Sequence, residues 1–395
     1  MIKVFLKPKR DESVRRFHPW IFSGAISQIQ GNPAEGDIVA VYTSDGQLIA
    51  AGHYQIGSIA VRILSFRGDP LGPDFWKEAI SAAYAQRCAT GLVESSLTTC
   101  YRLVHGEGDG LPGLIIDWYD GVCVIQAHSV GMFRSKKQIC EALKYVYGDT
   151  LKAVYDKSSG TAPFKAGLEL VDGYLYKAEG FNEHERIVLE NGNKFLVNWE
   201  QGQKTGFFLD QRDNRELVGK YSSGRRVLNL FCYTGGFSVY ALAAGAQMVD
   251  SVDSSAKAIS LVDKNIAINE LSNHCSHCED AIDYLSNVEE GKYDLMIVDP
   301  PAFAKHRGAL KNALRAYQRL NAAAISKVAS GGLIFTFSCS QVVDKISFAE
   351  TVFSAAAKTG RSVRILDRLG QGSDHPVNIY HPEGEYLKGL LLYVE

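Results

Sequence analysis

Four apolar runs in this sequence stop on residues that could do chemistry. Residues 293–298 lead into Asp299, Pro300 and Pro301, and residues 333–338 lead into Cys339, which stands between Ser338 and Ser340. Residues 227–231 are followed by Cys232, Thr234, Gly235 and Gly236, and residues 248–253 end on Asp253. A carboxylate locked by two prolines at a strand's carboxyl end suits an enzyme that must hold a flat base still. A cysteine nearby suits one base in particular. Carbon 5 of cytosine is not nucleophilic until a thiolate adds to ring carbon 6, and free cysteine, with a pKa of about 8.5, needs local positive charge to supply that thiolate. The competing reading of Cys339 is a small apolar side chain buried at a strand end. Asp299 and its two prolines tip the balance toward the nucleophile.

Residues 226–246 read as a strand, a tight turn and a helix, which together make a cofactor cradle. The apolar run at 227–231 shows no alternation, as in a parallel strand covered on both faces. Gly235 and Gly236 permit a sharp turn and close approach of a ligand, and the N–H groups that open the helix at 236–244 point into the turn. Asp253 follows Gly235 by 18 residues, where a ribose-binding acid sits in doubly wound sheets. That spacing fits NAD and S-adenosylmethionine equally. No nicotinamide chemistry asks for Asp299, Pro300 and Pro301, so the reading is S-adenosylmethionine and methyl transfer.

The chain carries 42 Lys and Arg against 44 Asp and Glu, a net charge of −2, so no global charge draws it to nucleic acid. Local charge does. Residues 1–16 hold six Lys or Arg and two acids, while residues 305–319 hold Lys305, Arg307, Lys311, Arg315 and Arg319 with His306 and no acid. On a helix Lys311, Arg315 and Arg319 form one cationic stripe fit for phosphates. Arg15, Arg16, His18, Trp20 and Phe22 interleave basic and aromatic groups, as phosphate contacts and base stacking require. Solvated charge for both stretches, and a core plug for Trp20 and Phe22, are the plainer readings. Gly106, Gly108 and Gly110 look like a phosphate cradle, but no helix follows, so a structural turn is expected. The His274 to Cys278 segment lacks the second ligand pair that zinc needs, so no metal site is expected there.

The elements that must position these groups fall into three expected domains. Residues 1–70 show short β patterns at 2–6, 37–42, 48–53 and 59–64, which suggest a small RNA-binding barrel. A linker at 65–73 precedes a central α/β domain over 71–184, with helices at 75–92 and 133–147. Residues 185–395 open with a hairpin about Asn191-Gly192. The loop from Gln203 to Arg215 either lines the cofactor pocket or merely caps a helix. Strands at 227–231, 248–253, 275–279, 293–298 and 333–338 then alternate with helices near 236–244, 256–270, 309–329 and 345–359, the pattern of a twisted parallel sheet. If the fourth and fifth of these strands are neighbours, their ends are about 5 Å apart, so Asp299 and Cys339 face one bound group. Eight scattered cysteines without a disulfide spacing, and no apolar run long enough for a membrane span, point to a cytoplasmic protein with no membrane partner.

Taken jointly, Val227 to Ser238, Gln203 to Arg215, Asp299-Pro-Pro-Ala-Phe303, Phe337-Ser-Cys-Ser340 and Asp374-His-Pro-Val377 resemble the ribosomal large-subunit RNA methyltransferase I family. These are S-adenosylmethionine-dependent 23S rRNA 5-methylcytosine enzymes with an N-terminal PUA domain, matched here by the region around Arg15 to Gly24. The resemblance implies an α/β fold: a class I, Rossmann-like methyltransferase domain preceded by a PUA-like barrel and a central α/β domain. It implies that Asn229, Thr234, Gly235 and Gly236, with Cys232 beside them, hold the methionine end of the cofactor, Asp253 the ribose and Asp280 the adenine. Asp299 and Pro300 then lie between cofactor and target base, with Cys339 the nucleophile and large-subunit ribosomal RNA the partner. Relatives that share the Gln203 loop methylate guanine instead, so the cytosine assignment leans on Cys339. Two alternatives stay open: a guanine or exocyclic-amine methyltransferase without covalent catalysis, and a non-catalytic RNA-binding protein.

Overall fold

The structure, a computed structural model, describes residues 2–67, 71–163, 167–304 and 306–395. Lys305 and residues 68–70 of the expected linker lie outside the described residues. The chain begins with β1 (Ile2–Leu6), α1 (Glu12–Arg15), β2 (Trp20–Phe22), β3 (Ile26–Gln30), β4 (Ile38–Tyr42), β5 (Leu48–Tyr54) and β6 (Ile59–Ser65). These strands form one mixed sheet in the order β2-β6-β5-β4-β1-β3, with β1 parallel to β4. Val4, Leu6, Val39, Val41, Val61 and Ile63 cluster at its core, each removal of such a side chain from water contributing about 1.5–3 kcal/mol. All four expected strands are present. β2 and β3 were not anticipated.

Next come α2 (Phe75–Ala89), β7 (Cys100–His105), β8 (Leu114–Tyr119), β9 (Val122–Ala127), α3 (Val130–Arg134), α4 (Lys136–Tyr147), β10 (Ala153–Asp156) and β11 (Gly173–Lys177). The five strands order as β11-β10-β9-β8-β7. The helix expected at 133–147 is two helices that meet at Ser135, the first capped by Ser129, whose hydroxyl accepts the Met132 N–H. The glycines at 106–110 form a 3-10 turn, with Gly110 at φ 72°. A Cβ on Gly108 would strike the Pro376 carbonyl at 2.0 Å, so this glycine is a close packing point rather than a phosphate cradle.

The remaining elements are β12 (Glu185–Glu190), β13 (Asn193–Asn198), α5 (Arg212–Ser222), β14 (Arg226–Leu230), α6 (Gly236–Ala243), β15 (Met248–Val252), α7 (Ala256–Ile268) and β16 (His274–His277). Then follow α8 (Ala281–Asn287), β17 (Leu295–Val298), α9 (Leu310–Lys327), β18 (Gly332–Ser338), α10 (Lys345–Thr359), β19 (Val363–Leu369) and β20 (Lys388–Val394). Asn191 and Gly192, at φ 48° and 83°, turn the β12–β13 hairpin with the left-handed geometry that this dipeptide favours. Seven strands order as β16-β15-β14-β17-β18-β20-β19, parallel except for the antiparallel pairings of β20. β18 is buried along its whole length, which is why it reads as an unbroken apolar run. The chain divides into two compact units, one of residues 1–188, 197–209 and 373–384, the other of residues 189–196, 210–372 and 385–395. The Asp374 segment thus belongs to the first unit, where Arg102 N–H donates to Asp374 Oδ2 at 2.9 Å.

Candidate functional site

Strand order in the seven-stranded sheet reverses between β14 and β17, so a ligand crevice opens at the carboxyl ends of those two strands. On the β14 side, Phe231, Tyr233 and Gly235 take φ values of 57°, 48° and 76°. Left-handed backbone at two aromatic residues is costly, and such strain gathers where ligands bind. A Cβ on Gly235 would stand 2.9 Å from Val262 Cγ1 of α7, and one on Gly236 2.9 Å from Arg215 Cδ of α5. Arg215 cannot easily yield, since it donates to both carboxylate oxygens of Glu190 at 2.7 Å. The sequence pointed to ligand access as the reason for these glycines. What the fold requires of them first is room for α5 and α7.

Around that turn the polar groups are wired to backbone. Asp253 Oδ2 accepts the Tyr233 N–H at 3.0 Å and its Oδ1 accepts the Ser255 N–H at 2.9 Å, tying the turn after β15 to the turn after β14. Each carboxylate oxygen retains a lone pair for a hydroxyl donor. Asp280 caps α8 by accepting the Ile282 and Asp283 N–H groups at 2.8 and 3.2 Å. The Thr234 carbonyl accepts Asn265 Nδ2 at 2.8 Å. Asn229 is fully buried beneath α6: its Nδ2 donates to Ser238 Oγ at 2.8 Å, and a polar chain continues through Ser251 to His274. Its Oδ1 has no partner among the described residues, a buried acceptor of the kind an ammonium or amino donor satisfies. Burial pushes the Cys232 thiol well above its ordinary range, and the Asp253 charge adds to that, so Cys232 stays protonated and is not a second nucleophile. Backbone donors, an acceptor for hydroxyls and a buried acceptor for an amine fit the three polar ends of S-adenosylmethionine.

The other side of the crevice is built from side chains that reach in from elsewhere. β17 pairs with β18 in parallel, so Asp299 and Cys339 do follow adjacent strands. They are not level. Val298 pairs with Thr336, so Cys339 lies two residues, about 7 Å, further along than the partner level of Asp299. Asp299 is half-buried, and its Oδ2 accepts Gln211 Nε2 at 2.9 Å. Gln211 is itself oriented by Asn214, whose Nδ2 donates to Gln211 Oε1 at 2.6 Å and to the Gly370 carbonyl at 3.0 Å. Pro300 is buried and Pro301 is exposed. Cys339 is half-buried between two fully buried serines. Ser340 Oγ lies 3.1 Å from the Tyr317 hydroxyl, and the Ser340 carbonyl accepts Lys388 Nζ at 2.6 Å.

Gln211, Asn214, Tyr317 and Lys388 escaped the sequence reading. Gln211 and Asn214 stand three apart on the segment whose two readings were pocket lining and helix cap. Leu209–Gln211 is a 3-10 turn leading into α5, and Gln211 also reaches Asp299. The signal for Lys388 was a lone charge opening an otherwise apolar strand.

The two basic stretches differ in kind. Arg15 and Arg16 pair with Asp11 and Glu12 one helical turn back. His18 Nδ1 accepts the Trp20 N–H at 3.2 Å. Trp20 Nε1 donates to Glu107 at 2.8 Å while the Arg62 guanidinium lies 5.5 Å over its ring. Trp20 is therefore engaged internally, and Phe22 stays half exposed. On α9 the buried face of Ala313, Tyr317, Leu320, Ala324 and Ile325 turns Lys311, Arg315 and Arg319 outward, all three exposed. Arg307 is exposed as well. In β16, Cys275 and His277 come within 4.8 Å of Asp250, but Asp250 already pairs with His277 and Lys292 and accepts the Tyr293 hydroxyl.

No helix among the described residues is long and apolar enough to cross a membrane. A family model described as S-adenosylmethionine-dependent methyltransferase matches residues 101–391, and one described as PUA-like domain matches residues 4–66. The chain is 40% identical to the ribosomal RNA large subunit methyltransferase I of Aeromonas hydrophila over 397 residues, covering 98% of both proteins. It is 39% identical to the protein of the same name from Shewanella amazonensis, covering 100% of this chain and 99% of that one. A solved Streptococcus mutans structure, assigned as an S-adenosylmethionine-dependent methyltransferase, aligns over 100% of both chains with a TM-score of 0.83 at 24% identity, a likeness of fold.

Proposed function

The chain belongs to the ribosomal RNA large subunit methyltransferase I family of S-adenosylmethionine-dependent methyltransferases, and from that premise we propose that it makes 5-methylcytosine in large-subunit ribosomal RNA through a Cys339 thiolate adduct. Its cofactor is S-adenosylmethionine. When bound, that cofactor supplies an electrophilic methyl group on a sulfonium. Asn229, Thr234, Gly235 and Gly236, with Cys232 beside them, hold its amino-acid end, Asp253 its ribose and Asp280 its adenine. Asp299 and Pro300 stand between this pocket and the target base.

The observation that carries the reading is the arrival of Asp299 and Cys339 at the ends of adjacent strands on the open side of the crevice. The target cytosine leaves its stack to reach them. The Cys339 thiolate adds to ring carbon 6, which puts electron density on carbon 5. Asp299, held by Gln211, fixes the base edge during that addition. Once carbon 5 is substituted, loss of its proton to a base lets the ring re-form its double bond and expel the thiolate. Exposed Lys311, Arg315 and Arg319 on α9 bind backbone phosphates, and Arg15, Arg16 and His18 of the PUA-like domain make further RNA contacts.

A second reading draws on the same Gln211–Asp299 bond, because an oriented carboxylate also suits an exocyclic amine of guanine without any thiol. The test is to transfer labelled methyl groups to large-subunit ribosomal RNA lacking the modification and to digest the product to nucleosides. Label in 5-methylcytidine is the expected result. Label in a methylguanosine would replace this reading with the second one.

A further inference from the structure

We propose that Lys388 is a positioning residue that holds Cys339 as a thiolate, its ammonium serving as the fixed positive charge beside the nucleophile. Lys388 opens β20 and lies opposite Ser338 in the β18–β20 register, one residue from Cys339. Its side chain is almost fully buried, with the residue 3% exposed. Nζ donates to the carbonyls of Ser340 and Tyr386, each at 2.6 Å. Those bonds clamp the amine to the peptide immediately beyond the thiol. Two neutral carbonyls do not offset the cost of burying an ammonium, so an anion close by is favoured.

The two carboxylates that act on Lys388 are engaged elsewhere. Asp344 caps α10 by accepting the Ser347 N–H at 2.7 Å, and Glu385 pairs with Lys345. Tyr317, which faces Ser340 from α9, is kept protonated by burial. Burial draws the Lys388 ammonium down to about 8, and Cys339 leads the charges that oppose this, ahead of Asp344 and Glu385. The coupling is reciprocal: a thiolate that favours the ammonium is favoured by it to the same degree. A lysine beside a cysteine is among the environments that lower a thiol's pKa. The functional meaning of Lys388 rests on the cytosine reading of this site, but its effect on the thiol can be measured without turnover.

The experiment follows alkylation of Cys339 by iodoacetamide against pH in the full-length chain, with the Cys339 peptide quantified by mass spectrometry. The wild type should show a midpoint below that of an ordinary thiol, about 8.5. Lys388→Gln, which removes the charge and keeps an N–H donor group, should slow alkylation at pH 7 by about tenfold or more, one unit of midpoint. Lys388→Arg, which keeps the charge, should restore most of the rate. A wild-type midpoint at or above the ordinary value overturns the proposal even if Lys388→Gln does not fold, and so does an unchanged midpoint in a folded Lys388→Gln. A lowered, Lys388-dependent midpoint in an enzyme whose product is a methylguanosine would sink the cytosine reading and leave this inference standing.

Discussion

On the β14–β15 side of the crevice, acids commit their oxygens to backbone: Asp253 to the N–H groups of Tyr233 and Ser255, Asp280 to the first turn of α8. On the β17–β18 side, the groups are held by side chains from distant parts of the chain, Asp299 by Gln211 and the segment after Cys339 by Lys388. The first side is shaped by backbone conformation and by glycines with no room for a Cβ. The second is shaped by side-chain hydrogen bonds that single substitutions can remove. Damage to the first should therefore appear in stability and cofactor binding, and damage to the second in the rate of methyl transfer.

The largest expected effect lies on the second side. Cys339→Ser should lower kcat by about 10³-fold or more while leaving the melting temperature and the calorimetric affinity for S-adenosylmethionine unchanged. Equal loss of cofactor affinity would erase the distinction between the two sides. On the first side, Gly235→Ala forces a side chain into φ 76° and against Val262, and should cost about 1–3 kcal/mol in urea denaturation. An unchanged midpoint would mean that the turn is not under packing constraint.

Three smaller effects sharpen the contrast. Replacing Lys311, Arg315 and Arg319 together by Gln should weaken RNA binding by about tenfold and flatten the log–log salt dependence by about 2. Replacing Arg15 and Arg16, already paired with Asp11 and Glu12, should flatten it by less than about 1. Anisotropy titrations across salt concentrations read both slopes. Gln211→Ala should lower kcat by about tenfold at most, with KM for S-adenosylmethionine unchanged. A raised KM at constant kcat would assign Gln211 to the cofactor side.

The middle of the sheet was legible in the sequence because β14, β15, β17 and β18 are buried on both faces and the helices fall between them at regular intervals. Asn191-Gly192 announced its hairpin for the same local reason. β7 was not legible, since Arg102 sits within it and reads as polar until Asp117 is seen to take its guanidinium at 2.7 Å. β3 was missed because an edge strand with three of its five residues exposed carries little apolar signal. In the site, Cys339 and Asp299 stood out because each ends an apolar run. Gln211 and Lys388 did not, because their roles depend on partners 88 and 48 residues away in the chain.

The central claim, that a thiol at the end of β18 attacks the target ring, is tested most directly with RNA carrying 5-fluorocytosine at the modified position. Fluorine cannot leave carbon 5 as a proton does, so the adduct should persist. With S-adenosylmethionine present, the account predicts a denaturant-stable protein–RNA complex joined through the Cys339 peptide, and none with Cys339→Ser. Normal methylation without a trapped complex, or a complex that still forms in Cys339→Ser, would contradict it.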